Sequence, residues 1–324
     1  MNRRDFLKLS GASLAGAALA GVSLSGCKTT DKPVVKIGHL PITDHLTIIA
    51  HGQYEYRNLV LEPVKFSNWP ELSEALRSGA IQGGFALTPI GLALRQKGAP
   101  IKLVQAGHRN GSILTVKNDP QISKVEDLRG KTIAIPSRFS THNILVNKLL
   151  NEHGIAVEKD VRLLEMSPPE MVNALSTGRI DAFLVAEPFG AQAELSKVGK
   201  VLVYSKDIWK NHICCALNVQ ESLISAHPEA VEELVGNFVK AANFIESNPK
   251  ESAQLSQKYL GQKPEVVQYV LETPKDRVSF NNLIPTASEI NETQDYLTQF
   301  GITSQKVDVQ AYLDDRFVKK AYQV

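Results

Sequence analysis

The sequence predicts an α/β protein of two similar lobes joined by two crossovers, with a ligand cleft between them. Three observations predict it. A helix–glycine–strand segment beginning Glu71-Leu72-Ser73-Glu74-Ala75-Leu76 and running to Gly79 and Ile81 recurs without a gap 99 residues later, from Glu170 to Gly178 and Ile180. Short β-branched runs alternate with helical stretches of ten or so residues, the mark of a parallel α/β sheet. Two strand-like runs, 102–117 and 201–219, stand between and after the copies, where a chain would pass from one lobe to the other and back.

The elements follow in order. Val34-Val35-Lys36-Ile37 is a β-branched run stopped by Pro41, hence a first strand. Thr43-Asp44 reads as an N-cap and 45–56 as a helix. Residues 59–66 form a second strand, 70–78 a helix closed by Gly79, and 81–87 a third strand. Pro89 and Gly91 fall on Pro188 and Gly190 of the second copy, so each strand feeds a proline-bearing loop. Asp44-His45 is echoed by Thr141-His142, and two echoes in the same order argue for two lobes. Pro228 starts a helix over 229–246, where Val231, Leu234, Val235, Phe238, Val239, Ala242 and Ile245 make one apolar stripe. Helices over 250–260 and 264–272 follow. Open sheets of this kind bind ligands beyond the strand carboxyl ends.

Composition narrows the function. The 324 residues carry 36 Lys+Arg against 34 Asp+Glu and only three cysteines, an ordinary globular balance. The first 26 hold Arg3, Arg4 and Lys8 against Asp5, a charged n-region before a Gly/Ala/Leu-rich run, and Leu24-Ser25-Gly26-Cys27 ends it. Removing them leaves 33 basic against 33 acidic side chains, so nothing global draws nucleic acid or anionic lipid. The opening string resembles a twin-arginine export signal and its end a bacterial lipobox with Cys27 lipidated. The expected organisation is signal peptide 1–26, lipidated tether 27–33, lobe 1 from 34–111 with 214–324, and lobe 2 from 112–213.

Metal and catalytic motifs are not evident. His45 and His51, six apart on a helix, point to different faces. Cys214 and Cys215 are adjacent, which disfavours a disulfide, and they read as two small residues on a strand. No His-Glu-x-x-His pair or nucleophile elbow stands in the chain. Neither metal nor cofactor is expected, nor catalysis.

With these pieces in place, the mature chain resembles the solute-binding proteins of bacterial ABC importers. It is most similar to the nitrate/bicarbonate/sulfonate/taurine family, of the type II periplasmic-binding fold shared with thiamine-pyrimidine binders. Ser67-Asn68-Trp69, Thr141-His142-Asn143, Ser167-Pro168-Pro169-Glu170-Met171-Val172, Ala186-Glu187-Pro188-Phe189 and Asp207-Ile208-Trp209-Lys210-Asn211-His212 carry the resemblance, chiefly to the nitrate and bicarbonate branch. Where that branch would place a cation after the last run, Ile213-Cys214-Cys215 stands instead, which weakens the implication of nitrate itself.

The resemblance and the helix N-terminus at Thr141 together place His142 against a ligand, with Ser140 as cap, because free N–H groups there suit an anion. The other reading is a histidine bonded to its neighbours. His45 and Thr43 hold the echoed place in lobe 1. Trp69 reads as a loop aromatic over a planar ligand or as core. Thr88 and Glu187 precede the prolines of the two copies; Glu187 is suited to orient a ligand amine or a basic residue that closes the cleft. Ser112 stands at the first crossover as a donor, and Arg109 is the candidate for the missing cation.

The implied function is capture of a small anionic or polar solute by hinge closure, by a lipid-anchored monomer outside the cytoplasm, for delivery to a permease and ATPase. The alternative is a binder of a thiamine-type pyrimidine or other heterocycle, or a pyrimidine-synthase-like enzyme. The leader makes its own prediction. Intact-mass analysis of membrane-extracted native protein should find residues 1–26 lost and Cys27 acylated, and an unmodified Met1 N-terminus would refute it.

Overall fold

Prolines in the first turn begin the helices that start at 69, 88, 168, 228, 249 and 264, and glycines at 79 and 261 close two of them. The structure, a computed structural model, describes residues 32–323, so the leader and the Cys27 lipobox lie outside the described residues. The first third of the chain runs β1 (Val34–His39), a 3-10 turn (Thr43–Ile49), α1 (Ala50–Gln53), β2 (Val60–Lys65), α2 (Trp69–Ser78), β3 (Gly83–Leu87), α3 (Thr88–Gln96) and β4 (Ile101–Ala106). The middle runs β5 (Arg109–Asn110), β6 (Ser112–Lys117), β7 (Thr132–Ile135), α4 (Thr141–Glu152), β8 (Arg162–Glu165), α5 (Pro168–Ser176), β9 (Ala182–Ala186), α6 (Phe189–Leu195) and β10 (Gly199–Tyr204). Then come α7 (Ser205–Ile208), β11 (Cys215–Gln220), α8 (Glu221–Ala226), α9 (Pro228–Ser247), α10 (Pro249–Leu260) and α11 (Pro264–Glu272). The chain finishes with β12 (Val278–Ser279), α12 (Ala287–Gln299), α13 (Val309–Tyr312) and α14 (Arg316–Ala321).

Two five-stranded sheets result, in the orders β2-β1-β3-β11-β4 and β10-β6-β9-β7-β8. They have one topology. In the first, β1 pairs parallel with β2 and β3, and β11 runs antiparallel to β3 and β4. In the second, β7 pairs parallel with β8 and β9, and β6 runs antiparallel to β9 and β10. Each sheet thus takes its fourth strand directly from a crossover: β6 follows the passage out of the first lobe, and β11 the return. β12 pairs with β5 as a small third ribbon against the first crossover.

The repeat has a packing reason. In each copy the helix after the third strand lies close on the incoming antiparallel strand, and a glycine permits it. A Cβ on Gly91 would stand 2.3 Å from the Tyr312 hydroxyl and 2.9 Å from Asn218 on β11. One on Gly190 would stand 1.9 Å from Ile113 on β6. The helix caps are as the sequence reads them at Gly79, in the left-handed region with φ 76°, and at Ser140, whose oxygen accepts the Asn143 N–H. The predicted stripe of α9 is buried throughout.

Two local expectations are corrected. Thr43 and Asp44 do not cap a long helix: Ile42 occupies that position without a side-chain bond, and the helix over 45–56 is replaced by the 3-10 turn and the short α1. The cause is His45, whose backbone leaves helical angles while its ring Nδ1 accepts the Leu40 N–H at 2.8 Å. Trp69 is not a loop residue; Asn68 caps α2 by accepting the Glu71 N–H, so Trp69 opens the helix and is buried.

Chemical denaturation should find Gly91→Ala and Gly190→Ala each destabilised by about 1–3 kcal/mol through overpacking. Gly236→Ala on α9, where a Cβ meets nothing within 4 Å, should be neutral or stabilising by up to about 1 kcal/mol. Equal effects at all three positions would show that close approach is not what the paired glycines provide.

Candidate functional site

The carboxyl ends of β1, β3, β7 and β9 and the two crossovers converge on one buried polar region. From the first lobe come Thr43, Asp44 and His45 after β1 and Thr88 after β3; from the second come Ser140 at the cap of α4, Thr141 and His142 in its first turn, and Glu187 after β9. The first crossover adds His108 and Ser112, and the second adds His212, Cys214 and Cys215. All are buried.

Cys214 is the most heavily tied of these. Its carbonyl accepts the Thr88 N–H at 2.9 Å and the Thr141 hydroxyl at 3.1 Å, so both lobes hold the same atom. The Thr88 hydroxyl lies 3.1 Å from the Ile213 carbonyl and 3.3 Å from that of Cys214. The Cys214 sulfur faces the second lobe, 3.8 Å from Ser112 Oγ and 3.9 Å from His142 Nε2. Ser112 Oγ and His142 Nε2 are themselves 3.0 Å apart.

The rings have defined proton positions. His45 accepts at Nδ1, so its neutral form carries the proton on Nε2. The ring stacks on Phe85 at 5.4 Å and meets Trp69 edge-on at 5.7 Å. His212 donates from Nδ1 to the Trp209 carbonyl at 2.6 Å, leaving Nε2 a bare acceptor. Burial pushes its pKa down to about 4, with His39 likewise at about 4. His45 is driven well below its ordinary value by burial and then by His39 and His108.

Many of these atoms have no hydrogen-bond partner among the described residues. Thr43 Oγ1, both Asp44 carboxyl oxygens, His45 Nε2, Trp69 Nε1, both His108 nitrogens, His142 Nδ1 and His212 Nε2 are buried and unpaired. His108 Nε2 lies 3.1 Å from Asp44 Oδ2 without forming a hydrogen bond. Burial, then the charges of Cys214 and Glu187, hold the Asp44 carboxyl well above the usual range. Burial pushes the Cys214 thiol up, but a hydrogen bond with Cys215 and the neighbouring His142 and His108 outweigh it, so its net direction is down. Cys215 is pushed up by burial and by Cys214. Local spacing in the sequence suggests no metal centre, yet the fold gathers one donor atom each from Asp44, His108, Cys214 and Cys215 within 4.8 Å of one another.

The remaining sequence candidates divide by what they touch. Thr43, His45, Trp69, Thr88, Ser112, Thr141, His142 and Glu187 are brought to the region, whereas Ser140 spends its hydroxyl on capping α4 and on the Ser137 carbonyl. Arg109 is not the cation of the cleft: its guanidinium donates to Glu289 and to the Asn211, Asn282 and Ile284 carbonyls. Glu187 does face a basic residue. Arg277, just before β12, donates to Glu187 at 2.5 Å and to Glu194 at 2.7 Å, between the rings of Tyr204 and Tyr269. Sequence reasoning missed Arg277, which lies in an irregular segment without periodicity or motif. His108 and Asp44 were visible only as neighbours of the chosen Arg109 and His45.

A family model described as the NMT1-like family matches residues 28–260. The nitrate import ATP-binding protein NrtC of Synechocystis sp. is 28% identical over 67% of this chain and 35% of that protein. The chain spans about a third to three fifths of the length of such curated relatives. Among solved structures, the zinc-bound ligand binding component of an ABC-type import system from Staphylococcus aureus is 29% identical, with a TM-score of 0.81, over 90% of this chain and 99% of that one. The periplasmic nitrate-binding protein NrtA from Synechocystis PCC 6803 is 17% identical with the same TM-score of 0.81, over 90% of this chain and 89% of that one, a likeness of fold. The two-lobed periplasmic-binding architecture and the family resemblance read from the motifs are both borne out. Matched over well more than half of its length, the chain belongs to the NMT1-like family.

Proposed function

We propose that the protein is the extracytoplasmic solute-binding component of an ABC importer, a monomer tied to a bacterial membrane through acylated Cys27. On this reading it binds and does not catalyse. Lobe 1 is 34–111 with 214–324, lobe 2 is 112–213, and the crossovers are the hinge. A small charged or polar solute enters between the lobes and biases them toward closure, and the closed form delivers it to a permease and its ATPase.

One observation carries this reading: unpaired buried polar atoms concentrate where the two lobes meet. Buried polar groups are nearly always satisfied, and each one left bare costs on the order of 1–3 kcal/mol. A stable protein has no reason to gather so many at one interface unless a ligand supplies their partners. The arrangement across the cleft is a closed one on this division. Thr43 N–H donates to the Glu187 carbonyl at 2.7 Å, Gln192 donates to Gln262 at 2.8 Å, and Arg277 reaches Glu187 and Glu194.

Two measurements test it. A thermal-shift panel of nitrate, bicarbonate, alkyl sulfonates, small carboxylates, metal ions and pyrimidines should find one class that raises Tm and compacts the protein in small-angle scattering. For an anionic or polar organic solute, His142→Ala should then weaken binding about tenfold to a hundredfold, the loss of one hydrogen bond to a charged group at about 1.5–3 kcal/mol. Its unliganded Tm should hold, and wild-type affinity in the folded variant would assign His142 a purely structural role.

Arg277→Met should cost about 3–5 kcal/mol by leaving Glu187 and Glu194 without their partner. Adding Glu187→Gln should recover part of that loss and leave a more open unliganded form in scattering. An unchanged scattering profile in the double variant would refute Arg277 as the clasp between lobes.

A further inference from the structure

We propose that the solute of this cleft is a soft or borderline-soft transition-metal ion of the zinc class, held directly by Asp44, His108, Cys214 and Cys215. The assignment rests on the solute-binding reading above and narrows its solute. These donors come from three separated segments: the loop after β1, the first crossover and the second crossover. One ligand atom from each lies within 4.8 Å of the others, and all four residues are buried. Zinc bonds of about 2.0–2.3 Å in a tetrahedron set donors roughly 3.3–3.8 Å apart, so the group needs only a small contraction.

The donors are also the atoms that want partners. Neither Asp44 oxygen and neither His108 nitrogen has a hydrogen bond, although one oxygen and one nitrogen are 3.1 Å apart. A shared cation satisfies both at once. The two sulfurs supply soft donors, which favour zinc or cuprous ions over magnesium or calcium. On binding, the thiols and the Asp44 carboxyl release their protons to solvent.

The surroundings are shaped to this set. Gly111 has φ 86°, and a Cβ there would fall 2.5 Å from Asp44 Oδ1 and 2.9 Å from the His108 ring. Thr88 and Thr141 fix the Cys214 backbone from opposite lobes, and the amino end of α4 beside it favours a thiolate. All four donors lie in lobe 1 as divided above, so an ion bound here ties the segment after β1 to both hinge segments, and lobe 2 meets it through Thr141 at the Cys214 carbonyl.

The test uses the full chain, reduced, stripped with a chelator and titrated with Zn2+ by calorimetry with metal analysis, and with Co2+ as a spectroscopic stand-in. One equivalent of zinc should bind, and cobalt should show a thiolate charge-transfer band and ligand-field bands of tetrahedral strength. Cys214→Ser and Cys215→Ser should each lose more than the roughly 10–100-fold that removal of an outer partner costs, with Ser112→Ala at or below that range. Should those variants fail to fold, peptide-resolved alkylation of the wild type decides: zinc should shield Cys214 and Cys215 from iodoacetamide. Unshielded thiols, no charge-transfer band, or unchanged affinity in both folded cysteine variants would overturn the metal site. If nitrate, a sulfonate or a pyrimidine stabilises and compacts the protein while zinc does neither, the metal assignment falls and the importer reading stands. If zinc binds these four residues but neither it nor any panel solute compacts the protein, the importer reading falls and the metal site stands.

Discussion

Each sheet is completed by a strand that the chain delivers from the opposite lobe, and the rest of the molecule depends on that constraint. β11 lies between β3 and β4, and β6 lies between β9 and β10, so neither sheet closes without a crossover. The crossovers are therefore pinned by full strands of backbone hydrogen bonds, one on each side of the gap between lobes. Residues at and just before the starts of those strands are held rigidly at the carboxyl ends of β3 and β9. Gly111, Ser112, Cys214 and Cys215 owe their position to this, and the polar region exists because both passages open onto the same place.

That geometry explains what the sequence made legible. The 99-residue repeat was readable because helix, cap, strand and proline loop are contiguous, and Gly91 and Gly190 recur because the same close helix–strand contact recurs. The Ser140 cap and the α9 stripe were readable for the same reason, as local hydrogen bonding and period. The helix expected over 45–56 was misread because a ring–backbone bond from His45 outweighs helical propensity there.

The site was legible only in part. His142, Thr88 and Glu187 follow repeated strands, so pattern locates them. Asp44, His108 and Cys214 share no spacing, and only the sheet register makes them neighbours. Cys214 and Cys215 looked inert because adjacent cysteines invite a disulfide argument, whereas their chemistry depends on what faces them across the gap. Arg277 is the extreme case. Its role is set by two carboxylates on another lobe, and nothing beside it in the chain signals that.

The strand order also dictates a sequence of events during synthesis. All five strands of the second sheet lie in one uninterrupted stretch, 112–204, whereas β4 has no hydrogen-bonded neighbour in the first sheet until β11 exists. The lobe that leaves the ribosome second is thus the first able to finish its sheet. The earlier lobe must wait, with β1, β2 and β3 partly assembled, for residues 215–220 to arrive, and non-local pairing of that kind is slow. A chain truncated between β10 and β11 is left with one lobe able to complete its sheet and one that cannot.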